Sequence, residues 1–142
     1  GHELMRTLAR PTLFERLCAV AAESLGGDAS CTMLRDGRTR SFLPVARKGA
    51  AQDFGQMLDP AQPGALEVLR RLRATNVVEV PLAGTGIGTK RRSSRWLCIA
   101  LRRGTRLAGI VVVGRFMGVP AFSADDMRAG FERLADEVLT AP

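Results

Sequence analysis

Two apolar runs separated by a short polar turn dominate the hydrophobic pattern of this chain. Trp96–Leu101 and Leu107–Val113 flank the turn 102–106, which reads RRGTR. Runs of this length that end in turn residues are typical of strands buried on both faces, and a short glycine-containing loop between two of them predicts a β-hairpin. Because a hairpin that is apolar on both faces must be covered on both, we expect it at the centre of a sheet.

Helical spacing of apolar residues marks both ends of the chain. Thr12–Leu25 opens with a capping-box pattern, in which Thr12 is the predicted N-cap and Glu15 its partner, and Gly26-Gly27 supplies the stop. Ser123–Leu139 opens with Ser123 as the predicted N-cap and two acidic residues in the first turn. The predicted buried stripe of this second helix consists of Met127, Phe131, Leu134 and Val138.

A second hairpin is predicted from Ala29–Arg35 and Arg38–Lys48, which flank the dipeptide Asp36-Gly37. Asp-Gly favours a two-residue type I′ turn, since both central residues of that turn need a positive φ. Pro44 lies inside the second run, and proline donates no hydrogen bond to a neighbouring strand. We therefore expect this strand at the sheet edge, or with a bulge.

The middle of the chain predicts shorter elements. A short helix is predicted within Ala51–Leu58, and a second helix follows Pro63 and ends near Asn76, its predicted cap. A brief strand, Val77–Pro81, and a polar loop, 82–94, then lead into the central hairpin. The buried face of the second helix is predicted to carry Leu66, Leu69 and Leu72.

Length and composition indicate one ordinary globular domain. The chain has 142 residues, 46% hydrophobic and 25% charged, and its longest apolar stretch, 108–114, is too short to span a bilayer. The opening Gly1-His2 resembles the remnant of a purification tag. We therefore expect residues 1–10 to be tag and linker, and residues 11–142 to be a single domain excised from a longer bacterial protein.

The cysteine and histidine content excludes several chemistries. Cys18, Cys31 and Cys98 lie in apolar segments without a CxxC pair, which favours reduced, buried thiols in a cytoplasmic protein. The single histidine is His2, in the presumed tag. Zinc sites, haem with a proximal histidine, and Ser/His or Cys/His catalysis therefore lack their usual residues.

The net charge of +7 comes from one part of the chain, since residues 82–106 carry seven basic residues and no acidic one. This stretch raises nucleic-acid binding as an alternative function. Its two clusters, 90–95 and 102–106, flank a strand of about seven residues and would lie about 20 Å apart at opposite ends of the sheet. Tyrosine is absent and aromatic residues are few. We therefore interpret the basic residues as a solvated surface.

An ordered set of sequence segments resembles a GAF domain across residues 11–140. The first segments are the first predicted strand with its Asp-Gly turn and the stretch Val45–Gly49 at the end of the second strand, then NVVEVP at 76–81. The later ones are the hairpin Trp96–Gly114 and Phe122-Ser-x-x-Asp126 leading into Leu134-Ala135. The resemblance implies an α+β fold with a central antiparallel sheet of five to six strands. The terminal helices would pack on one face, and the short helices and the loop, at 50–74 and 82–95, would cover the other and enclose a ligand cavity.

A GAF-like fold implies a regulatory or sensory domain that is not itself an enzyme. Two interpretations stay open, namely a small-molecule sensor and a ligand-free dimerising spacer. A free methionine-sulfoxide reductase also uses this fold and works through thiols, but no cysteine spacing here recommends a reactive pair. That enzyme and nucleic-acid binding are the further alternatives.

Candidate site residues follow from the same resemblance. If a ligand binds, Phe54, Met57, Trp96 and Cys98 are predicted to line its cavity, and the predicted anion contacts are Lys90, Arg91 and Arg95. Trp96 and Cys98 share one face of their strand, although such residues more often belong to the core. The glycine-rich loop 84–90 precedes a strand rather than a helix, so it does not match a Walker motif.

The sequence lacks the residues that several known GAF ligands require. The pattern of cyclic-nucleotide-binding GAF domains cannot be placed here, and bilin and haem are not expected because the domain has no histidine of its own. We expect a homodimer through the terminal helices, Thr12–Leu25 and Ser123–Leu139. An output domain attached beyond these residues would receive the signal, and no membrane contact is expected.

Overall fold

The sheet and its helices are seen in a computed structural model that describes residues 11–39, 41–49, 65–82, 94–115 and 122–140. The predicted tag and the predicted helix at Ala51–Leu58 lie outside these residues. No helix among the described residues is long and apolar enough to cross a lipid bilayer. In chain order, the described elements are α1 (Pro11–Leu25), β1 (Ala29–Arg35), β2 (Phe42–Lys48), α2 (Ala65–Ala74), β3 (Val77–Leu82), β4 (Ser94–Arg103), β5 (Arg106–Arg115) and α3 (Ala124–Thr140).

The five strands form one antiparallel sheet in the order β2-β1-β5-β4-β3. The predicted central hairpin is confirmed, since β5 is the middle strand and β4 lies beside it. The turn is tighter than the predicted five residues, because Arg103 pairs with Arg106 and leaves a two-residue loop. Gly104 makes this loop possible by adopting a φ of +61°.

The first hairpin has a longer turn than predicted. The amide of Asp36 donates to the carbonyl of Ser41 at 2.8 Å, and Gly37 does not adopt a positive φ, so the predicted type I′ turn is wrong. The Asp36 carboxylate instead accepts hydrogen bonds from the Arg38 amide (3.3 Å) and the Thr39 hydroxyl (2.8 Å). These bonds lower the pKa of Asp36. The side chain of Asp36 therefore holds a wider loop in place of a tight glycine turn.

Both expectations for Pro44 are confirmed. β2 is an edge strand, and its pairing with β1 shifts between Thr32, which faces Ala46, and Met33, which faces Pro44. Val45 is thus the extra residue of a bulge. The missing amide hydrogen of proline is tolerated where one side of the strand has no partner strand.

The terminal helices α1 and α3 pack against one face of the sheet, as predicted. α1 ends in a Schellman motif, in which Gly26 adopts a φ of +60° and the Gly27 amide donates to the Ala22 carbonyl at 2.9 Å. Pro11 is already helical, so Thr12 lies within the helix and is not its N-cap. The apolar side chains of this face are Leu13, Phe14, Leu17, Val20, Ala21, Leu25, Leu97, Ile99, Leu101, Val111, Val113, Phe122 and Leu134.

Two buried hydroxyl groups fix α1 on β1. Ser30 and Thr32 are fully buried, and their hydroxyls donate to the carbonyls of Cys18 (2.7 Å) and Phe14 (3.1 Å). The Sγ of Cys18 lies 3.2 Å from the Thr32 hydroxyl. Each buried polar group therefore has a partner, and these bonds favour one position of the helix along the strand.

α3 begins as the sequence predicts. The Asp126 amide donates to the Ser123 hydroxyl at 3.0 Å, and the Ser123 amide donates back to the Asp126 carboxylate at 3.3 Å. Leu134 is buried, and Met127, Phe131 and Val138 are partly buried against the same core. The predicted N-cap and buried stripe are therefore confirmed.

α2 covers the opposite face of the sheet through Val68, Leu69 and Leu72. Leu66, predicted on the buried face, is 63% exposed. The sequence spacing allowed either Leu66 or Val68 to share the buried face with Leu69 and Leu72, and packing against the sheet buries Val68. The apolar sheet residues of this face include Ala29, Cys31, Met33, Val78, Trp96, Cys98, Ala100, Ile110 and Val112.

We predict that Gly109→Ala destabilises the fold while Gly37→Ala does not. A Cβ at Gly109 would lie 2.7 Å from the Met33 carbonyl oxygen and 3.0 Å from Leu34 Cδ2. Relieving such overlap in a packed core costs about 1–3 kcal/mol. At Gly37, by contrast, no atom lies within 4 Å and the φ suits alanine. Urea unfolding measures both changes, and a large loss in Gly37→Ala would contradict the wide-loop geometry.

Candidate functional site

The face of the sheet beneath α2, called the α2 face from here on, is where the sequence predicts a ligand. Side chains of β4 alternate between the two faces, so that Trp96 and Cys98 lie on the α2 face, whereas Leu97 and Ile99 pack against the terminal helices. The predicted shared face of Trp96 and Cys98 is therefore confirmed. Both are buried, with 6% and 0% of their surfaces exposed.

Trp96 lies at the edge-strand side of the α2 face. In the strand register it stands between Val80 of β3 and Gly114 of β5. Gly114 has no side chain, so the neighbouring position in β5 presents only backbone to the indole ring. Val80 is partly buried against the same cluster. The ring thus belongs to the buried apolar cluster of the α2 face. The residues that follow β3 and precede β4 in sequence are outside the described part.

Burial makes the thiols of the α2 face poor nucleophiles. Cys98 stands between Val78 and Val112 in the register, and burial raises the pKa of its thiol to about 12. Burial likewise raises the pKa of Cys31, also to about 12. Cys18, under α1, has a raised pKa for the same reason, partly offset by its hydrogen bond with Thr32. A thiol must ionise to react, so none of the three is activated in this structure.

The other predicted site residues are not brought together by the described part of the chain. Arg95 pairs through its backbone with Pro81 and Arg115 in the sheet, and its side chain lies outside the described residues. Phe54, Met57, Lys90 and Arg91 also lie outside them. Their predicted roles therefore stay predictions.

An apolar groove opens between α3 and β4, on the face away from α2. It has a volume of about 240 Å³ and is called the α3 groove below. Leu139 at its rim is 81% exposed. The apolar stripe of α3 was predicted from the sequence, whereas the space beside it was not. The groove is lined by Ala100, Leu101, Arg102, Phe131, Leu134, Ala135, Val138 and Leu139.

Two arginines of the central hairpin bind helix C-termini, a role that the sequence analysis missed. The Arg115 Nε donates to the Leu25 carbonyl at the end of α1 (2.9 Å), its Nη2 bonds the same oxygen, and its guanidinium carbon lies 4.1 Å from the centre of the Phe122 ring. The Arg102 Nη2 donates to the carbonyls of Leu72 (2.5 Å) and Thr75 (2.8 Å) at the end of α2. Helix C-termini carry partial negative charge, which favours a cation there.

Arg102 also corrects one sequence expectation. Its Nε donates to the Asn76 side-chain oxygen at 3.2 Å, so Asn76 helps to hold the guanidinium beside the end of α2. In addition, Arg102 is half-buried and bonded, not part of a solvated basic surface. The sequence feature that could have predicted this role is an arginine at the end of each of the two buried strands.

No protein-family model matches the chain, and no curated protein matches it.

Solved structures with the same architecture do exist. A GAF domain/HD domain protein from Geobacter sulfurreducens has a TM-score of 0.70 at 17% identity, with 96% of this chain and 94% of that chain covered. The second GAF domain of DevS from Mycobacterium smegmatis has a TM-score of 0.66 at 23% identity, covering 92% and 91%. The blue-light absorbing form of the Thermosynechococcus elongatus PixJ GAF domain has a TM-score of 0.65 at 17% identity, covering 99% and 88%. This chain therefore has the GAF fold that its sequence patterns predicted.

Proposed function

We propose that this chain is a sensory domain of a signalling protein, which binds a small molecule at the α2 face and passes the signal on through α1 and α3. The observation that carries the proposal is the division of the sheet into two differently covered faces within a GAF fold. A ligand on the α2 face would be separated from the terminal helices by the sheet alone. One solved protein of this architecture, PixJ, is named a cyanobacteriochrome receptor, which supports a sensory role.

The chemistry of the α2 face favours a ligand with a flat or apolar body and a negative charge. Trp96 offers an indole ring among apolar neighbours, and aromatic rings stack well on flat molecules. Arg95 directly precedes Trp96, and Lys90 and Arg91 precede β4 in sequence. We propose these three as anion contacts, with Phe54 and Met57 beside the ligand.

A bilin or haem is not the ligand that we propose. The PixJ domain absorbs blue light, but in this chain the one histidine is His2, so the usual axial ligand of a haem and the usual histidine near a bilin are missing. The proposed ligand is therefore a small organic anion without a histidine-held ring.

We further propose that two copies associate through α1 and α3. Leu139 is 81% exposed at the end of the apolar stripe of α3, beside the α3 groove. A large apolar side chain so exposed next to an unfilled groove is favourable to bury against a partner. A homodimer would place the two terminal helices where an attached domain could respond to their packing.

Two alternatives are less well supported. A thiol-dependent reductase needs an ionised, accessible cysteine, whereas burial raises the pKa of both Cys31 and Cys98 to about 12. Nucleic-acid binding needs a continuous basic surface, whereas Arg95 and Arg103 lie at opposite ends of the ten-residue β4 and Arg102 is used to bind α2. A third alternative, the ligand-free dimerising spacer, is distinguished from the sensor by the native mass spectrometry described next.

For the ligand, we expect native mass spectrometry of the purified chain to show a mass above that of the denatured chain. The released molecule, added back, should change the emission of Trp96, the only tryptophan in the sequence. Trp96→Phe removes this fluorophore, so its binding is measured by titration in native mass spectrometry; it should be weaker by about three- to tenfold, the effect of losing about 1 kcal/mol of aromatic contact. The control is Leu97→Ile, which alters the next residue on the other face. A bare mass, or a released molecule that leaves the emission of Trp96 unchanged, would contradict the proposed ligand site and favour the ligand-free spacer.

For the dimer, we expect Leu139→Glu to weaken self-association at least about tenfold, because a carboxylate is costly to bury in an apolar contact. Leu66→Glu is the matched control, since Leu66 is likewise exposed (63%) but lies on α2, across the sheet. Sedimentation velocity over a range of concentrations measures both. A monomeric parent chain, or equal effects of the two substitutions, would show that α3 is not the interface.

For the thiols, we expect iodoacetamide to label Cys31 and Cys98 at least about a hundredfold more slowly in the folded chain than in the chain unfolded by guanidinium. Their raised pKa keeps them protonated at mildly alkaline pH, and the sheet shields them. Peptide mapping of the labelled sites gives the rates. Rapid labelling of Cys98 in the folded chain, with methionine-sulfoxide reduction lost in Cys98→Ser, would instead support the reductase.

A further inference from the structure

Arg102 lies near the end of β4, where that strand runs past the end of β3. The pairing of β3 with β4 begins at Val77 and Ile99, and the Ala100 amide then donates to the Asn76 carbonyl at 2.8 Å. Beyond that point β4 continues past the end of β3. Arg102 therefore lies on a stretch of β4 that borders the end of α2 on one side and the α3 groove on the other.

On the α2 side, Arg102 is held by three acceptors. Its guanidinium donates to the Leu72 and Thr75 carbonyls and to the Asn76 side chain, at 2.5, 2.8 and 3.2 Å. Two of these acceptors belong to the last turn of α2 and the residue after it. Charged hydrogen bonds of this kind are directional and stronger than neutral ones, so a displacement of the end of α2 acts directly on the Arg102 side chain.

On the α3 side, Arg102 forms part of the wall of an incompletely filled groove. The groove separates β4 from the C-terminal half of α3, where Leu134 is fully buried and Phe131 and Val138 are only half-buried. A bidentate ion pair joins Glu137 to Arg16 of α1, with Nε–Oε2 at 2.5 Å and Nη2–Oε1 at 3.2 Å. This half of α3 is therefore tied to α1, and a movement of the groove wall changes the space between it and β4.

The N-terminal half of α3 is held more firmly, and by the other arginine. Its first residues are fixed by the reciprocal bonds of Ser123 and Asp126, and the Phe122 amide donates to the Glu79 carboxylate at 2.9 Å. Phe122 in turn packs under Arg115. The two halves of α3 thus depend on different arginines of the same hairpin.

We propose that Arg102 is a positioning residue that couples the end of α2 to the C-terminal half of α3. Signalling by this route rests on the proposed function, because it needs a ligand at the α2 face that displaces α2 and thereby moves Arg102. The coupling itself is a property of the unliganded fold. By linkage it acts in both directions, so a change in the groove alters the end of α2.

Hydrogen exchange read by mass spectrometry tests the coupling without any ligand. In Arg102→Met, we expect exchange to rise about tenfold at the end of α2, as the loss of a charged hydrogen bond predicts, and also in residues 131–139, with residues 124–130 unchanged. Arg103→Met, a change at the next residue of the strand, is the matched control and should leave both regions unchanged. Arg115→Met should show the converse pattern, with faster exchange at the end of α1 and in the first turns of α3.

Each outcome supports or overturns the proposal. Faster exchange at the end of α2 with no change in residues 131–139 would show that Arg102 is a helix cap alone. A uniform rise along α3 would show general destabilisation instead of coupling. If Arg102→Met does not fold, Val138→Ala carries the test from the groove side. It should raise exchange at the Thr75 and Ala100 amides, which donate to Arg71 and Asn76, and unchanged exchange there would overturn the coupling. A failed ligand test would leave these results unaffected.

Discussion

The β4–β5 hairpin is buried on both faces, and the rest of the fold follows from that constraint. Each fully buried leucine, isoleucine or valine contributes about 1.5–3 kcal/mol relative to exposure, so a hairpin with such residues on both sides is stable only when both are covered. α1 and α3 cover one face and α2 the other. The less buried strands β2 and β3 take the edges, where proline and polar residues are tolerated.

The charged residues at the ends of the hairpin hold these covers in place. Arg115 binds the end of α1 at one end of the hairpin, and Arg102 binds the end of α2 near the other. Charged hydrogen bonds contribute about 1.5–3 kcal/mol each, and here each satisfies a carbonyl that a helix leaves without a partner. The strongly basic character of this segment therefore has, in part, an architectural cause.

The fold and the chemistry of its buried side chains limit the functions that this chain can have. The fold is shared with GAF domains of several proteins at 17–23% identity, and at that distance a fold alone does not determine a ligand. The buried thiols argue against a thiol-dependent enzyme, because burial raises the pKa of Cys98 and keeps it protonated. The proposed sensor rests on the two differently covered faces of the sheet, with a groove beside α3 and with Arg102 bonded to the end of α2.

The sequence by itself determined the elements whose signals are local. The spacing of apolar residues, the Ser123 cap, the Gly26-Gly27 stop and the effect of Pro44 each depend on neighbours a few residues away, and all appear in the structure. Tertiary contacts decided the rest. The side chain of Asp36 selected a wide loop over the Asp-Gly turn, the sheet left Leu66 exposed, and Arg102 found carbonyls some 30 residues back in the chain. These outcomes depend on which groups the fold brings together, and sequence spacing does not encode such distances.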